Sequence, residues 1–158
     1  MNVDYKYNGD HIRIMIAYEK VEEIELIEKF FLKILMACFL HKNIKLVTRE
    51  PQKYSLGYEF ESHSKIKIGK TDVLITDVNC DIRLLKEITQ SEEFKRGLLF
   101  LIKGDSNFIE NTISRVLEIQ IGSHSILKDT VVLCEDDGNT LLLYNSTLTI
   151  EFLKSLEG

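Results

Sequence analysis

The stretch Ile12-Arg-Ile-Met-Ile-Ala17 is followed at once by Tyr18-Glu19 and then by a run with helical spacing. A second apolar run, Val73-Leu-Ile-Thr76, ends in a similar way at Asp77. Their continuous apolar parts, Ile14–Ala17 and Val73–Ile75, are typical of strands buried on both faces, because a half-exposed strand alternates apolar and polar residues. The two runs therefore predict core strands of an α/β sheet, each with an acidic side chain at its carboxyl end.

Strand and helix patterns alternate along most of the chain. Apolar residues from Val21 to Cys38 follow helical spacing, and Ile44–Thr48 is the next strand candidate. Such alternation favours right-handed crossovers between parallel strands, with helices on both faces of the sheet. We therefore expect a three-layer α/β sandwich with a flavodoxin-like, mostly parallel sheet. Its central strand would be Ile12–Ala17, between Ile44–Thr48 and Val73–Thr76.

Two segments depart from this alternation. Residues 49–70 contain Pro51 and alternate apolar with polar residues, which predicts a hairpin-like insertion with two short strands around Ser62-His63-Ser64. The turn sequence Asp136-Asp-Gly-Asn139 predicts a hairpin that adds an antiparallel C-terminal edge. The length of 158 residues fits one domain, so we treat residues 1–158 as a single unit.

Composition argues against several classes of protein. The formal net charge of −5 disfavours binding to nucleic acid or to an anionic membrane surface. The longest apolar stretch, Phe30 to Leu40, is interrupted by Lys33 and is too short to cross a bilayer. The cysteines are odd in number, far apart and set in apolar sequence, which suits reduced thiols: Cys38, Cys80 and Cys134. We expect a cytoplasmic protein.

The runs Ile12–Glu19, Val73–Asn79 and Leu98–Ile102, with helices between them, resemble a response-regulator receiver domain over roughly residues 11–135. In that family an acidic pair after the first strand and an aspartate after the third bind magnesium, and the aspartate accepts a phosphoryl group. The resemblance places Asp77 at the acceptor position. It places Asn79 where a backbone carbonyl would face the metal.

This sequence departs from the receiver pattern at the residues that complete phosphoryl switching. The acidic pair is reduced to Tyr18-Glu19. Lys103 stands near the expected hydroxyl residue, and Glu135 stands near the expected lysine. The resemblance therefore implies a degenerate receiver-like domain with a regulatory or protein-interaction role and no catalysis.

An alternative uses the same acids as metal ligands. Glu19, Asp77 and Asp81 resemble the Toprim arrangement, in which clustered carboxylates hold magnesium for phosphodiester chemistry. Lys20 stands where that family has a glycine after its glutamate. Each acid also has a structural explanation, since Glu19 favours the start of a helix and Asp77 or Asp81 can cap the helix that begins near Ile82. Magnesium is the one cofactor that these residues suggest.

The first helix is apolar around most of its circumference in its second half, so one sheet face cannot cover all of it. Either the chain's own 49–70 segment and terminal helix cover this surface, or a second subunit or protein partner does. The candidate interaction residues are Phe30, Phe31, Leu35, Met36, Phe39 and Leu40. The sequence thus favours a non-catalytic domain that binds a protein partner or itself, with a magnesium-dependent enzyme as the alternative.

Overall fold

The computed structural model describes residues 1–49, 63–104 and 109–158. Within these residues the strands are β1 (Asn2–Tyr7), β2 (His11–Ala17), β3 (Asn43–Arg49), β4 (His63–Ile68), β5 (Thr71–Asn79), β6 (Leu99–Lys103), β7 (Thr130–Glu135) and β8 (Thr140–Tyr144). The helices are α1 (Glu23–Phe39), α2 (Ile82–Gln90), α3 (Glu92–Lys95), α4 (Ile109–Gln120) and α5 (Ile150–Ser155).

The described strands form one sheet in the order β1-β2-β8-β7-β6-β3-β5-β4, and every neighbouring pair is antiparallel. The prediction of a flavodoxin-like, mostly parallel sheet is therefore wrong. The predicted strand order is wrong as well. β2 is not central but lies beside the edge strand β1, and β3 pairs directly with β5, with Thr48 opposite Leu74.

The helical crossovers explain this error. β2 and β3, which α1 connects, do point in the same direction, and so do β5 and β6, which α2 and α3 connect. However, β8, β7 and β6 lie between β2 and β3, and β3 lies between β5 and β6. Each crossover thus joins parallel strands that are not neighbours, and the strands placed between them make the sheet antiparallel.

Two hydrophobic cores hold helices against opposite faces of the sheet. On the first face, α1, α2 and α5 pack on β2, β3 and the central strands, with Phe30, Phe39 and Leu85 among the buried side chains. On the second face, Ile113 and Val116 of α4 pack on the central strands. Because β6, β7 and β8 are covered on both faces, their apolar runs show no alternation.

The two segments that departed from the alternation also differ from expectation. His63–Ile68 is not part of a separate insertion, since it forms a hairpin with β5 through the turn at Gly69 and extends the main sheet. The first of the two short strands predicted there, which precedes Ser62, lies outside the described residues. β7 and β8 do form a hairpin around Asp136–Gly138, but they occupy the middle of the sheet, so the prediction of an antiparallel C-terminal edge is wrong.

Candidate functional site

Glu19 lies far from the other predicted ligands because β2 and β5 point in opposite directions. The residues after their carboxyl ends are consequently at opposite ends of the sheet. The two strands are also five strand spacings apart, which is about 24 Å at the usual inter-strand distance. The structure does not bring Glu19 together with Asp77 and Asp81.

Asp77 lies on β5 at a cleft on the α4 side of the sheet, and its carboxylate forms an ion pair with the ammonium group of Lys45. Beside this pair, Asn79 Nδ2 donates a hydrogen bond to Asn43 Oδ1 at 3.0 Å. The cleft has a volume of 380 Å³ and also includes Gly104. The local charge of Asp77 is therefore balanced by a lysine on the neighbouring strand.

Asp81 has the structural role that its position before a helix suggests. Its carboxylate Oδ1 accepts a hydrogen bond from the backbone N–H of Leu84 at 2.7 Å and caps α2. Among the residues that the structure describes, no three His, Cys, Asp or Glu side chains are grouped so that they could hold a metal ion. The three predicted carboxylates are thus dispersed among a loop, an ion pair and a helix cap.

The predicted interaction residues of α1 are covered by the chain itself. Phe30, Phe31, Leu35 and Phe39 are buried in the first-face core, and Met36 and Leu40 are partly buried against it. Leu153 of α5 belongs to the same core. In addition, Lys33 Nζ on α1 donates a hydrogen bond to the carbonyl of Leu156 at 3.3 Å. The terminal helix α5 therefore covers part of the apolar surface of α1.

The cysteine thiols are also interior groups. Cys38, Cys80 and Cys134 are all free and buried. Burial raises the pKa of Cys38 to about 11 and the pKa of Cys80 to about 12, and it raises the pKa of Cys134 well above its ordinary value. Because the thiolate is the reactive form of cysteine, these residues are poor nucleophiles in the folded protein.

Glu23 ties the first residues of β1 to the start of α1. Its carboxylate accepts hydrogen bonds from the α-amino group of Met1 at 2.5 Å and from the backbone N–H of Glu19 at 2.9 Å. The Met1 amine, followed by the N–H groups of Glu19 and Lys20, lowers the pKa of Glu23 from 4.5 to about 2. The ionised carboxylate is consequently favoured in the folded state.

We expect Glu23→Gln to lower the urea midpoint at neutral pH, because it removes the negative charge that holds Met1. Since the pKa of Glu23 is lower in the folded state, its contribution is present above pH 4.5 and is lost as the pH falls towards about 2. Urea unfolding of both proteins across this range checks the expectation. A difference in midpoint that persists unchanged at pH 2 would contradict it.

β1 is an edge strand of the described sheet, and β2 is its only strand partner among the residues that the structure describes. The pairing is regular, from Asn2 opposite Ala17 to Tyr7 opposite Ile12. Two backbone hydrogen bonds show which residues of β1 and β2 form the hydrogen-bonded pairs. The N–H of Asn8 donates to the carbonyl of His11 at 2.9 Å. On the other side of β2, the N–H of Ile16 donates to the carbonyl of Asn139 at 2.8 Å.

These two hydrogen bonds show which backbone groups of β1 are free to pair with a further strand. The backbone N–H and C=O groups of even-numbered β2 residues form hydrogen bonds with β8, so those of odd-numbered β2 residues form hydrogen bonds with β1. In the β1–β2 register, odd-numbered β2 residues lie opposite even-numbered β1 residues, whose backbone groups are therefore used in this pairing. The backbone N–H and C=O groups of Val3, Tyr5 and Tyr7 therefore point away from the sheet. β1 thus offers the backbone N–H donors and C=O acceptors of three alternate residues to a further strand.

The side chains of β1 differ between its two faces. Val3 and Tyr5 lie against the first-face core, while Tyr7 is 64% exposed. The Tyr5 hydroxyl donates to Glu157 Oε2 at 2.8 Å, and burial together with this bond and the Glu157 charge raises the pKa of Tyr5. The opposite face carries Asp4 and Lys6, both exposed. β1 thus combines an apolar face with a charged face.

β1 is not among the strands predicted above, although the sequence contains a signal for it. In Asn2-Val-Asp-Tyr-Lys-Tyr7 polar and aromatic or β-branched residues alternate strictly, which is the pattern of a half-exposed strand. The two-residue Gly9-Asp10 connection to β2 is typical of a hairpin.

None of the helices in the described ranges is long and apolar enough to cross a membrane. Comparison of the chain with family models, with curated proteins and with solved structures gives no match.

Proposed function

We propose that this chain is a non-catalytic protein-binding domain that takes an extended segment of a protein partner onto β1. The observation that carries the proposal is the outward orientation of the backbone groups of Val3, Tyr5 and Tyr7. An extended peptide that pairs with such an edge gains main-chain hydrogen bonds, and its alternate side chains select the partner.

The chemistry of β1 supports this role. It has six residues, contains no proline and keeps its register with β2 along its whole length, so its edge is straight enough to template another strand. The most exposed tyrosine or phenylalanine of the described residues, Tyr7, lies on this strand. An added strand would cover Tyr7 from the side, and aromatic residues contribute strongly to cross-strand pairs.

The proposal is tested with Tyr7→Pro and its control Tyr7→Ala. Proline at position 7 removes an outward N–H and leaves the β1–β2 hydrogen bonds intact, as proline is tolerated on edge strands in this orientation. Random heptapeptides displayed on phage are selected on sparsely immobilised wild-type protein. We expect the selected peptides to bind Tyr7→Ala up to about fivefold more weakly than wild type, because the aromatic contact is lost. Relative to Tyr7→Ala, Tyr7→Pro should lose at least about a further tenfold in affinity, in line with the loss of a backbone hydrogen bond and a steric block.

Circular dichroism and urea unfolding establish that both variants keep the wild-type fold. Selected peptides that bind Tyr7→Pro as tightly as Tyr7→Ala would contradict main-chain pairing at β1. A selection that yields no binding peptide would contradict the proposal as a whole.

A further inference from the structure

We propose that the segment which pairs with β1 is β1 of a second copy of this chain, in an antiparallel arrangement with Tyr5 on the two-fold axis. This inference rests on the proposed function and names the partner of the same edge. It follows from the order of charges along β1, which is complementary to itself in one register alone.

Symmetry restricts the registers to a few. We consider two β1 strands joined edge to edge about a two-fold axis perpendicular to the sheet. The side chains of directly opposite residues then lie on the same face of the joined sheet, and the axis passes midway between the two copies of one residue. The outward backbone groups belong to Val3, Tyr5 and Tyr7, so odd-numbered residues form the hydrogen-bonded pairs in every such register. Of these registers, three place at least two of the outward residues of one copy opposite outward residues of the other, and they have Asp4, Tyr5 or Lys6 on the axis.

Charge distinguishes these three registers. With Asp4 on the axis, two aspartates face each other, and with Lys6 on the axis, two lysines do. With Tyr5 on the axis, Asp4 of each copy lies opposite Lys6 of the other. Opposite charges that face each other across strands stabilise the pair, whereas like charges destabilise it. The Tyr5 register is therefore the favoured one.

The same register satisfies the backbone and covers the aromatic residues. Val3 of each copy faces Tyr7 of the other, and the two Tyr5 residues face each other, so these three pairs supply about six main-chain hydrogen bonds by the antiparallel rule. Tyr7, which is 64% exposed in the single chain, would then pack beside Val3 of the second copy. The charged pairs lie on the opposite face of the joined sheet.

The charges can be exchanged with little harm to the fold. Within one chain Asp4 is opposite Met15, and Lys6 is opposite Arg13, another cation. Both Asp4 and Lys6 are exposed. Asp4→Lys therefore breaks no ion pair across the hairpin, and Lys6→Asp places a carboxylate opposite Arg13. Asn2→Lys is a matched control, because position 2 lies on the same face but opposite Asn8 of the second copy.

The test is the molecular mass by light scattering and analytical ultracentrifugation over a wide concentration range, about 1 μM to 1 mM, which covers the affinities of weak and moderate interfaces. We expect the wild type and Asn2→Lys to reach twice the mass of the 18.3 kDa chain. Asp4→Lys and Lys6→Asp should each raise the dimer dissociation constant about tenfold or more, because two attractive pairs become repulsive. The double variant should recover dimerisation, and so should a mixture of the two single variants, in which every cation again meets an anion.

Each other outcome overturns the inference in a distinct way. A wild-type dimer that is indifferent to both charge reversals uses another surface. A wild type that stays monomeric while β1-directed peptides still bind it has a different protein as its partner, so the proposed function would stand without this inference. A monomer whose β1 binds no peptide removes both.

Discussion

Phe39→Ala is expected to lower the free energy of unfolding by about 3–5 kcal/mol, the usual cost of removing a fully buried aromatic side chain. Phe39 lies at the end of α1, has no exposed surface and belongs to the core between α1 and the sheet. A loss of this size is a large part of the total stability of a domain, about 5–15 kcal/mol. Urea unfolding monitored by circular dichroism measures it.

Leu26→Ala is the matched control on the same helix. Leu26 is 50% exposed, so its truncation is expected to change the free energy of unfolding by no more than about 0.5 kcal/mol. If Phe39→Ala were as mild as Leu26→Ala, the second half of α1 would not pack on the sheet in the way that the structure shows.

Gly97→Ala is expected to lower the free energy of unfolding by about 2–4 kcal/mol, from two costs that add. Gly97 has a φ of +74°, where a residue with a Cβ atom is strained. A Cβ atom there would also lie 2.9 Å from the backbone carbonyl oxygen of Cys134 on β7. The glycine allows the turn before β6 to approach β7 closely, and the Gln120 side chain holds the turn by donating to the Gly97 carbonyl at 2.6 Å.

Gly122→Ala separates the two costs. Gly122 has a φ of +92°, but among the described residues a Cβ atom there would have no heavy atom within 4 Å apart from its chain neighbours, so only the backbone strain of about 1–2 kcal/mol applies. Chemical denaturation of both variants should show that Gly97→Ala is the more destabilising. Equal losses would mean that the turn and β7 are not in close contact.

The local elements could be predicted largely from the sequence, because hydrophobic period and turn residues act over short distances. The predicted strand at 12–17 corresponds to β2, the turn at Asp136–Gly138 joins β7 and β8, and the long apolar helix corresponds to α1. The exact ends of the helices are harder to predict where several capping residues are close together. Ser91 separates α2 from α3, and Thr149, not Ser146, caps α5.

The neighbours of each strand could not be predicted in the same way. An apolar run shows that a strand is buried on both faces, but it carries no information on the direction of the strands beside it. Here β7 and β8, from the end of the chain, insert between β2 and β6, so a late hairpin decides the architecture. The predicted site failed to assemble for this reason, since antiparallel strands send Glu19 and Asp77 to opposite ends of the sheet.

Amide hydrogen exchange resolved by residue offers the sharpest examination of β1, and Asp4→Lys is the protein to use because it should remain monomeric. We expect the amides of Asn8 and Lys6 to be protected by their bonds to β2, and those of Val3, Tyr5 and Tyr7 to exchange quickly. When the complementary Lys6→Asp variant is added, the amides of Tyr5 and Tyr7 should become protected. Tyr5 and Tyr7 amides that are already as protected as that of Lys6 in the monomer would contradict the free edge on which the proposed function depends.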